Sequence, residues 1–288
     1  MHRLDYELKT LCRRFGGGSF GTRNKRVTTL LTCASDLRSA GFADMKARSL
    51  KTEHVHRLVR MWLARGLSTN TIKNYVSQLR WWACTIQRPF LIPPTNQELG
   101  IPRRALTPIH SKAKVLKPEW LQNIPCERMR TSLRLQQEFG LRREESLKFR
   151  PDYAIQGDHI RLQGSWTKGG KPRTIPALKT RQSELLDTCR ALARSGSMIP
   201  PDLCYVRHLN RFCRVCLSAG IRNMHGLRHG YAQRRYHELA GFESPLAGGP
   251  KRCGLSRHER LLDWLARKTV SRELGHERIE VTTTYLGI

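Results

Sequence analysis

The amino-acid sequence predicts a mainly α-helical protein with one small antiparallel β-sheet, in a chain of two domains. Its 288 residues are about twice the usual length of a single domain. Apolar residues recur at helical spacing through most of the chain. Residues 153–177 differ, because short β-like segments there flank a turn at Gly157 and Asp158. We therefore expect helices throughout and a small sheet in the second half.

Four apolar stripes predict a helical domain over residues 1–90. The third stripe ends at Gly66, and Ser68 or Thr69 then caps the fourth. Pro89 ends the fourth helix, since proline cannot continue a helical hydrogen-bond pattern.

Prolines and basic residues predict an irregular basic linker over residues 91–115. The second domain then covers residues 116–288. Its helices are expected at 118–123, 126–138, 142–149, 178–194, 205–219, 225–240 and 257–273, and its strands at 153–156, 159–164 and 173–177.

The charge balance indicates a polyanionic partner. The chain has 52 Lys and Arg against 23 Asp and Glu, which gives +29. With 39% hydrophobic residues it is too apolar for a disordered basic tail, so a folded nucleic-acid-binding protein is favoured. Charge alone does not separate DNA from RNA. Acidic residues are few and no Asp-x-Asp or Glu-x-Glu cluster stands out, which disfavours a metal-dependent nuclease or transposase built on clustered carboxylates. We expect no cofactor.

The sequence also predicts a cytoplasmic, nucleoid-associated protein, of prokaryotic type. It has no run of 18 apolar residues, which predicts no membrane contact, and it begins without the apolar run of a signal peptide. Its nine cysteines are then expected to be reduced thiols. Cys213 and Cys216, spaced for one helix face, are expected to be buried thiols rather than zinc ligands.

Four short segments carry residue types suited to phosphate chemistry. They are residues 140–145, 167–176, 225–229 and 274–276, the last followed by Tyr285. In this order they resemble the tyrosine recombinase, or phage integrase, family. The stretch GLSTNTIKNYVSQLRWW resembles that family's core-binding domain. The resemblance implies a helical core-binding domain followed by a tyrosine-recombinase catalytic domain.

By resemblance, Arg142 and Arg228 hold the scissile phosphate. Arginine suits this role because its guanidinium is always charged and can hold two oxygens at once. Arg143 is the rival of Arg142, but the family spacing R-x-x-E selects Arg142 and makes Glu145 its orienting partner. A surface pair between Arg142 and Glu145 is the plain alternative.

Tyr285 is the nucleophile that the resemblance implies. A phenol is a weak nucleophile until a base or cations assist it, and His225 would take or return its proton. Lys168, in a glycine-rich turn, would protonate the 5′-oxygen, with Lys171 as the alternative. His276 would hydrogen-bond the phosphate. His229 is as consistent with packing as with chemistry.

A polar helix face and the linker are the candidate DNA contacts outside this site. The residues are Lys73, Asn74, Ser77 and Arg80 on the fourth helix, with Arg103 and Arg104 in the linker. A helix with such a face can enter a DNA major groove. An ordinary solvated surface is the alternative.

The resemblance implies a site-specific DNA recombinase that works through a 3′-phosphotyrosyl intermediate and a Holliday junction, for a mobile genetic element. Its partners would be double-stranded DNA with inverted half-sites and three further copies in a homo-tetramer on two duplexes. A partner recombinase or DNA-bending accessory protein is left open. Type IB topoisomerase activity and a catalytically silent DNA-binding protein of the same fold are the alternatives. The family's coupling of subunits through a helix after the tyrosine is not expected, and residues 241–256 form either an extra contact or a surface insertion.

Overall fold

The computed structural model describes residues 2–103, 108–167 and 169–288. It confirms a mainly helical fold with one small antiparallel sheet. The chain forms two compact units, residues 1–105 and 106–288. Within the described ranges, no helix is long and apolar enough to span a membrane.

The first unit packs its helices around two tryptophans. These helices are α1 Arg3–Arg14, α2 Phe20–Ser39, α3 Thr52–Ala64 and α4 Thr69–Thr85. The Ser68 side chain accepts a backbone hydrogen bond from the first turn of α4 and caps it. Trp62 and Trp82 are fully buried, and their indole N–H groups donate to Asp36 and to the Ala47 carbonyl. Each buried indole therefore has its polar atom satisfied.

The division between the units differs from the predicted domain ends. Ile92, Leu99 and Ile101 are buried in the core of the first unit, although the sequence predicted a linker there. At the other end, Leu116 belongs to a core of the second unit, in agreement with its place at the start of the predicted second domain. The prolines in this region exclude a helix, but apolar side chains between them still bury themselves in the nearest core.

The second unit surrounds a small sheet with helices. The helices are α5 Pro118–Gln122, α6 Glu127–Phe139, α7 Arg143–Leu147, α8 Pro151–Ala154, α9 Thr180–Ala193, α10 Tyr205–Ser218, α11 His225–Ala240, α12 Arg257–Glu273 and α13 Thr283–Leu286, and the strands are β1 Ile155–Gln156, β2 His159–Leu162 and β3 Arg173–Pro176. The strands pair in the order β1-β2-β3, all antiparallel, with Ile160 opposite both Ile155 and Ile175. Ile160 and Ile175 are fully buried, so one face of the sheet packs on the core.

Helix α11 lies at the centre of this unit, in contact with α6, α12 and α13. Helix α6 ends at Gly140, whose φ is 61°. A Cβ there would lie 2.5 Å from the Tyr231 ring. Glycine is therefore required for α6 to end directly against α11, and this close approach brings residues 140–145 beside α11.

The stretch 241–256 contacts the end of α13. Its short helical turn Pro245–Ala247 packs against α13, and a Cβ on Gly287 would lie 3.1 Å from Leu246. From α12, Arg267 donates to the Gly287 carbonyl at 2.9 Å. This stretch therefore supports α13 within its own unit.

Candidate active site

Arg142 and Glu145 occupy the start of α7. Arg142 is the residue that precedes the first turn, and Glu145 lies within that turn with 0% of its surface exposed. One oxygen of Glu145 accepts from the Arg142 backbone N–H at 2.7 Å, and the other accepts from Arg142 Nη1 at 2.8 Å. The R-x-x-E spacing thus lets one buried carboxylate fix both the main chain and the side chain of Arg142.

Arg173, at the start of β3, is the residue of this site that the sequence analysis missed. Its Nη1 and Nη2 donate to the two oxygens of Glu145 at 2.9 and 2.6 Å, and its Nε donates to the Glu273 carbonyl at 2.8 Å. A Cβ on Gly275 would lie 2.9 Å from Arg173 Cδ. The glycine before His276 therefore leaves room for this arginine. Arg173 lies inside the motif segment 167–176, but nothing in a single sequence identifies Glu145 as its partner.

The three arginines keep Glu145 ionised. Burial alone would raise the pKa of its carboxyl group. The hydrogen bond and charge of Arg173, with the charges of Arg228 and Arg142, outweigh burial and lower the pKa to about 2. One carboxylate thus faces three guanidinium groups, which leaves this part of the site positively charged and suited to an anion.

Arg228 lies on α11 and is 1% exposed. It donates to the Gly140 carbonyl and to the Leu274 carbonyl. Arg142 Nη2 donates to the same Leu274 carbonyl at 3.3 Å, so the two guanidinium groups converge on one oxygen. Burial lowers the pKa of Arg228 to about 10, which leaves it charged at neutral pH. Its Nε has no hydrogen-bond partner among the described residues.

Tyr285 lies on α13 in the same unit, 5% exposed. Its hydroxyl is 3.3 Å from His276 Nε2, and the Arg228 Cζ lies 6.0 Å from the centre of its ring. The structure therefore brings the tyrosine, both arginines and His276 to one place. Burial and the charges of Arg228 and Arg142 lower the pKa of His276 to about 4, so its ring is neutral at neutral pH.

His225 and His229 both lie near the Tyr285 ring. His225 is the exposed first residue of α11, with its ring centre 6.1 Å from that of Tyr285. His229, one turn later and 4% exposed, is closer at 4.5 Å. Partial burial and the charge of Arg228 lower the pKa of His225. Burial and the neighbouring His225 lower the pKa of His229 to about 4. Both rings are thus neutral at neutral pH when no DNA is bound.

The β2–β3 loop lies at the open side of this site. Lys168, the expected proton donor to the 5′-oxygen, lies outside the described residues. Lys171 forms an ion pair with Glu277, next to His276, and both side chains are exposed. A cavity here is lined by residues that include Arg142, Arg173 and His276. The site therefore opens to solvent on the side of this loop.

The candidate DNA contacts of the first unit have different surroundings. Asn74 and Ser77 are exposed and Lys73 is half-buried on α4, and Arg103 is exposed, whereas Arg104 lies outside the described residues. Arg80 differs from the expectation. Its guanidinium donates to Asn96 at 3.0 Å and to the Pro93 carbonyl at 2.9 Å, so it fastens residues 93–96 to α4 rather than facing solvent.

A further cation lies beside α4. Arg26 of α2 stacks over the Trp81 ring at 4.5 Å and donates to Gln78 at 3.3 Å. The sequence analysis did not place Arg26 beside α4, because α2 and α4 are far apart along the chain.

The cysteines are free thiols. Cys216 is buried, and Cys213 accepts a hydrogen bond from Arg143 at 3.3 Å. In the described part of the chain, no group of three or more His, Cys, Asp or Glu side chains is arranged to hold a metal ion.

A family model for the phage integrase N-terminal domain matches residues 1–88, and a model for the integrase domain matches residues 122–234. The chain belongs to the tyrosine recombinase family, as its motifs predicted.

Solved structures share its fold. A lambda integrase dimer bound to a COC' core site is similar, with a TM-score of 0.60 and 16% identity over 96% of this chain and 76% of that chain. The XerH site-specific recombinase bound to palindromic difH substrate follows, with a TM-score of 0.57 and 18% identity over 97% and 80%. The Tn1549 transposon integrase in complex with circular intermediate DNA has a TM-score of 0.54 and 14% identity over 99% and 95%. A search of curated proteins finds no match.

Proposed function

We propose that this protein is a site-specific DNA recombinase that cuts and rejoins DNA through a 3′-phosphotyrosyl intermediate. One observation carries the proposal. The Tyr285 hydroxyl lies 3.3 Å from a neutral histidine nitrogen, in a site where Arg142 and Arg228 donate to one shared oxygen. A phosphate bound beside these two guanidinium groups would find hydrogen-bond donors that are already oriented. Each such donor stabilises the negative charge that develops in the transition state by about a few kcal/mol.

The chemistry follows from these groups. Tyr285 Oη attacks the scissile phosphorus, the bond from phosphorus to the 5′-oxygen breaks, and the 3′-phosphate becomes esterified to the phenol. Lys168 would give its proton to the departing 5′-oxygen. Attack by the 5′-hydroxyl of another strand reverses the steps and releases the phenol. Because the ester keeps the bond energy, rejoining needs no nucleotide cofactor, and we propose that no metal ion is needed.

The geometry favours His276 over His225 as the acceptor of the phenolic proton. The ring centres of His276 and His225 lie at similar distances from that of Tyr285, 5.6 and 6.1 Å, but His276 is the one whose Nε2 lies within hydrogen-bond distance of the hydroxyl, at 3.3 Å. His225, which is exposed at the start of α11, is better placed to donate to a bound phosphate. This exchanges the roles that the sequence suggested for the two histidines.

The substrates and assembly are inferred from the fold. A lambda integrase tetramer of the same fold is bound to a Holliday junction, and XerH is bound to a palindromic substrate. We infer that this chain also binds inverted half-sites, exchanges strands as a tetramer through a Holliday junction, and serves a mobile genetic element. The Lys73, Asn74 and Ser77 face of α4 would contact DNA in the first unit.

A pool of nicked duplexes with randomised sequence tests the chemistry. A nick next to the cleavage position lets the short 5′-hydroxyl fragment diffuse away, so the covalent protein–DNA adduct accumulates. We expect an adduct in EDTA that survives denaturation, and its attached DNA identifies the target site. Tyr285→Phe should abolish the adduct and keep DNA binding.

Tyr231→Phe is the matched control. Tyr231 is also 5% exposed, but its hydroxyl donates to Glu273 at 2.6 Å rather than contacting Arg142 or Arg228, and phenylalanine keeps its ring against Gly140. An adduct that persists in Tyr285→Phe would reject the nucleophile. DNA binding without any adduct would indicate a catalytically silent protein. Relaxation of supercoiled DNA by a monomer, without strand exchange between sites, would indicate a topoisomerase.

A further inference from the structure

One face of α11 continues past the catalytic residues to Gln233. His225, His229 and Gln233 are spaced four residues apart and therefore share this face. The two histidine rings lie beside the Tyr285 ring, and the Gln233 side chain, 8% exposed, donates from Nε2 to the Tyr285 backbone carbonyl at 2.9 Å. Gln233 thus contacts the main chain of the proposed nucleophile rather than its phenol.

The same amide nitrogen also contacts segment 111–114, near the start of the second unit. Gln233 Nε2 donates to Ser111 Oγ at 2.9 Å, and that oxygen also accepts from the Ala113 backbone N–H at 3.2 Å. An amide nitrogen carries two protons, so one is available for Ser111 and the other for Tyr285. Gln233 therefore joins segment 111–114 directly to the residue on α13.

Segment 111–114 is pressed tightly onto α11. A Cβ on Gly226 would lie 2.6 Å from the Lys112 carbonyl oxygen, and one on Gly230 would lie 2.5 Å from the Lys114 carbonyl oxygen. The Lys114 backbone N–H donates to the Gly226 carbonyl at 2.9 Å. Gly226 and Gly230 thus leave a strip of α11 without side chains, here called the glycine stripe, on which this segment lies. Its path along the helix is fixed by main-chain contacts, while the Lys112 side chain stays exposed.

We propose that Gln233 is a positioning residue for Tyr285, and that it links the placement of segment 111–114 to the placement of the nucleophile. The inference rests on the proposed function. A phosphate of the DNA backbone bound by Lys112 would stabilise the segment on the glycine stripe. The Ser111–Gln233–Tyr285 hydrogen bonds would then keep α13 where the phenol reaches phosphorus. A displacement of about 1 Å of a reacting group can cost about 100-fold in rate.

Single-turnover cleavage of the nicked target duplex, at saturating protein, tests this link. Gln233→Leu removes both donors at similar volume, and Gln233→Glu keeps a polar side chain that cannot donate when ionised. We expect each to slow adduct formation by about 100-fold with DNA affinity unchanged. Ser111→Ala should slow it less. Because both residues act through the same hydrogen bonds, the double variant should be no slower than Gln233→Leu alone.

Gln182→Leu is the matched control for a buried, bridging glutamine. Gln182 is 6% exposed, donates to the Glu138 carbonyl at 3.0 Å and accepts from the Lys179 backbone N–H at 3.1 Å. These partners lie outside the site, so its variant should cleave at the wild-type rate. If Gln182→Leu slowed cleavage as much as Gln233→Leu, the slower rate would reflect a general loss of stability, and the proposal would be overturned.

Two other results would also overturn it. If Gln233→Leu and Gln233→Glu both cleave at the wild-type rate, Gln233 does not position Tyr285. If the effects of Ser111→Ala and Gln233→Leu multiply, the two residues act separately and the link is rejected. These results differ from failure of the proposed function, in which the wild-type protein itself forms no adduct that depends on Tyr285, and this inference falls with it.

Discussion

Replacement of Glu145 by glutamine tests the arrangement of arginines around one buried carboxylate. Glu145 is fully buried between Arg142 and Arg173. Glu145→Gln keeps the shape but removes the charge, and its amide N–H₂ group faces guanidinium donors. The variant should therefore lose both folding stability and the fixed position of Arg142.

The magnitude follows from the acidity of Glu145. Its pKa falls from 4.5 to about 2 in the folded protein, which corresponds to about 3 kcal/mol of folding free energy at neutral pH. The folded-state pKa is the lower one, so this stabilisation is present above pH 4.5 and is lost as the pH falls towards 2. Between pH 7 and about pH 3.5, protonation of Glu145 should lower the free energy of unfolding of the wild-type protein by about 1 kcal/mol, and the variant should show no such contribution.

Urea unfolding monitored by hydrogen exchange of peptides from α7 and α11 measures this unit without contribution from the first. We expect Glu145→Gln to be about 3 kcal/mol less stable at pH 7, and the difference to narrow in acid. Glu144→Gln is the control. Its carboxylate pairs with Lys148 at the surface and its side chain is 49% exposed, so its cost should stay below about 1 kcal/mol. Equal stability of Glu145→Gln and wild type at pH 7, or a difference that does not change with pH, would refute the reasoning.

Two further predictions concern DNA. Binding should weaken steeply with salt, and Lys73→Ala should lower the slope of log K against log salt by about 0.9, while Arg65→Ala, whose guanidinium pairs with Asp36, should not. Equal slopes would remove Lys73 from the proposed interface. The pKa of His276 is about 4 in the free protein. A phosphate bound in the site should raise this pKa, because its negative charge offsets the charges of the nearby arginines. An NMR titration of His276 in Tyr285→Phe, with and without target DNA, measures the shift, and an unchanged pKa would place the phosphate elsewhere.

The sequence predicts most of the helices because their apolar stripes are long and end at glycine, proline or a capping serine such as Ser68. It predicts the small sheet from a turn at Gly157 and the short apolar runs beside it. It does not predict that Ile92, Leu99 and Ile101 enter the first core. Burial of isolated apolar residues between prolines depends on where the chain travels, and no periodicity records that path.

The site shows the same limit. Motif order places Arg142, Arg228, His276 and Tyr285 in one family pattern, and the structure brings them together. Arg173 and Gln233 have no such signal, because each matters through a partner distant in sequence. Arg80 is the converse case, a residue that the sequence singled out and whose contacts lie within the protein. Its position on the polar face of α4 suggested a DNA contact, but its guanidinium finds acceptors in residues 93–96.

The carbonyl of Leu274 receives hydrogen bonds from both Arg142 and Arg228. Since that oxygen belongs to the main chain, no side-chain replacement at this position deletes it. A survey of variants at residue 274 would therefore record how well a side chain fills the core, and would overlook the atom that aligns the two cations. Only a change in the path of the backbone, such as an inserted residue before Gly275, would expose its importance.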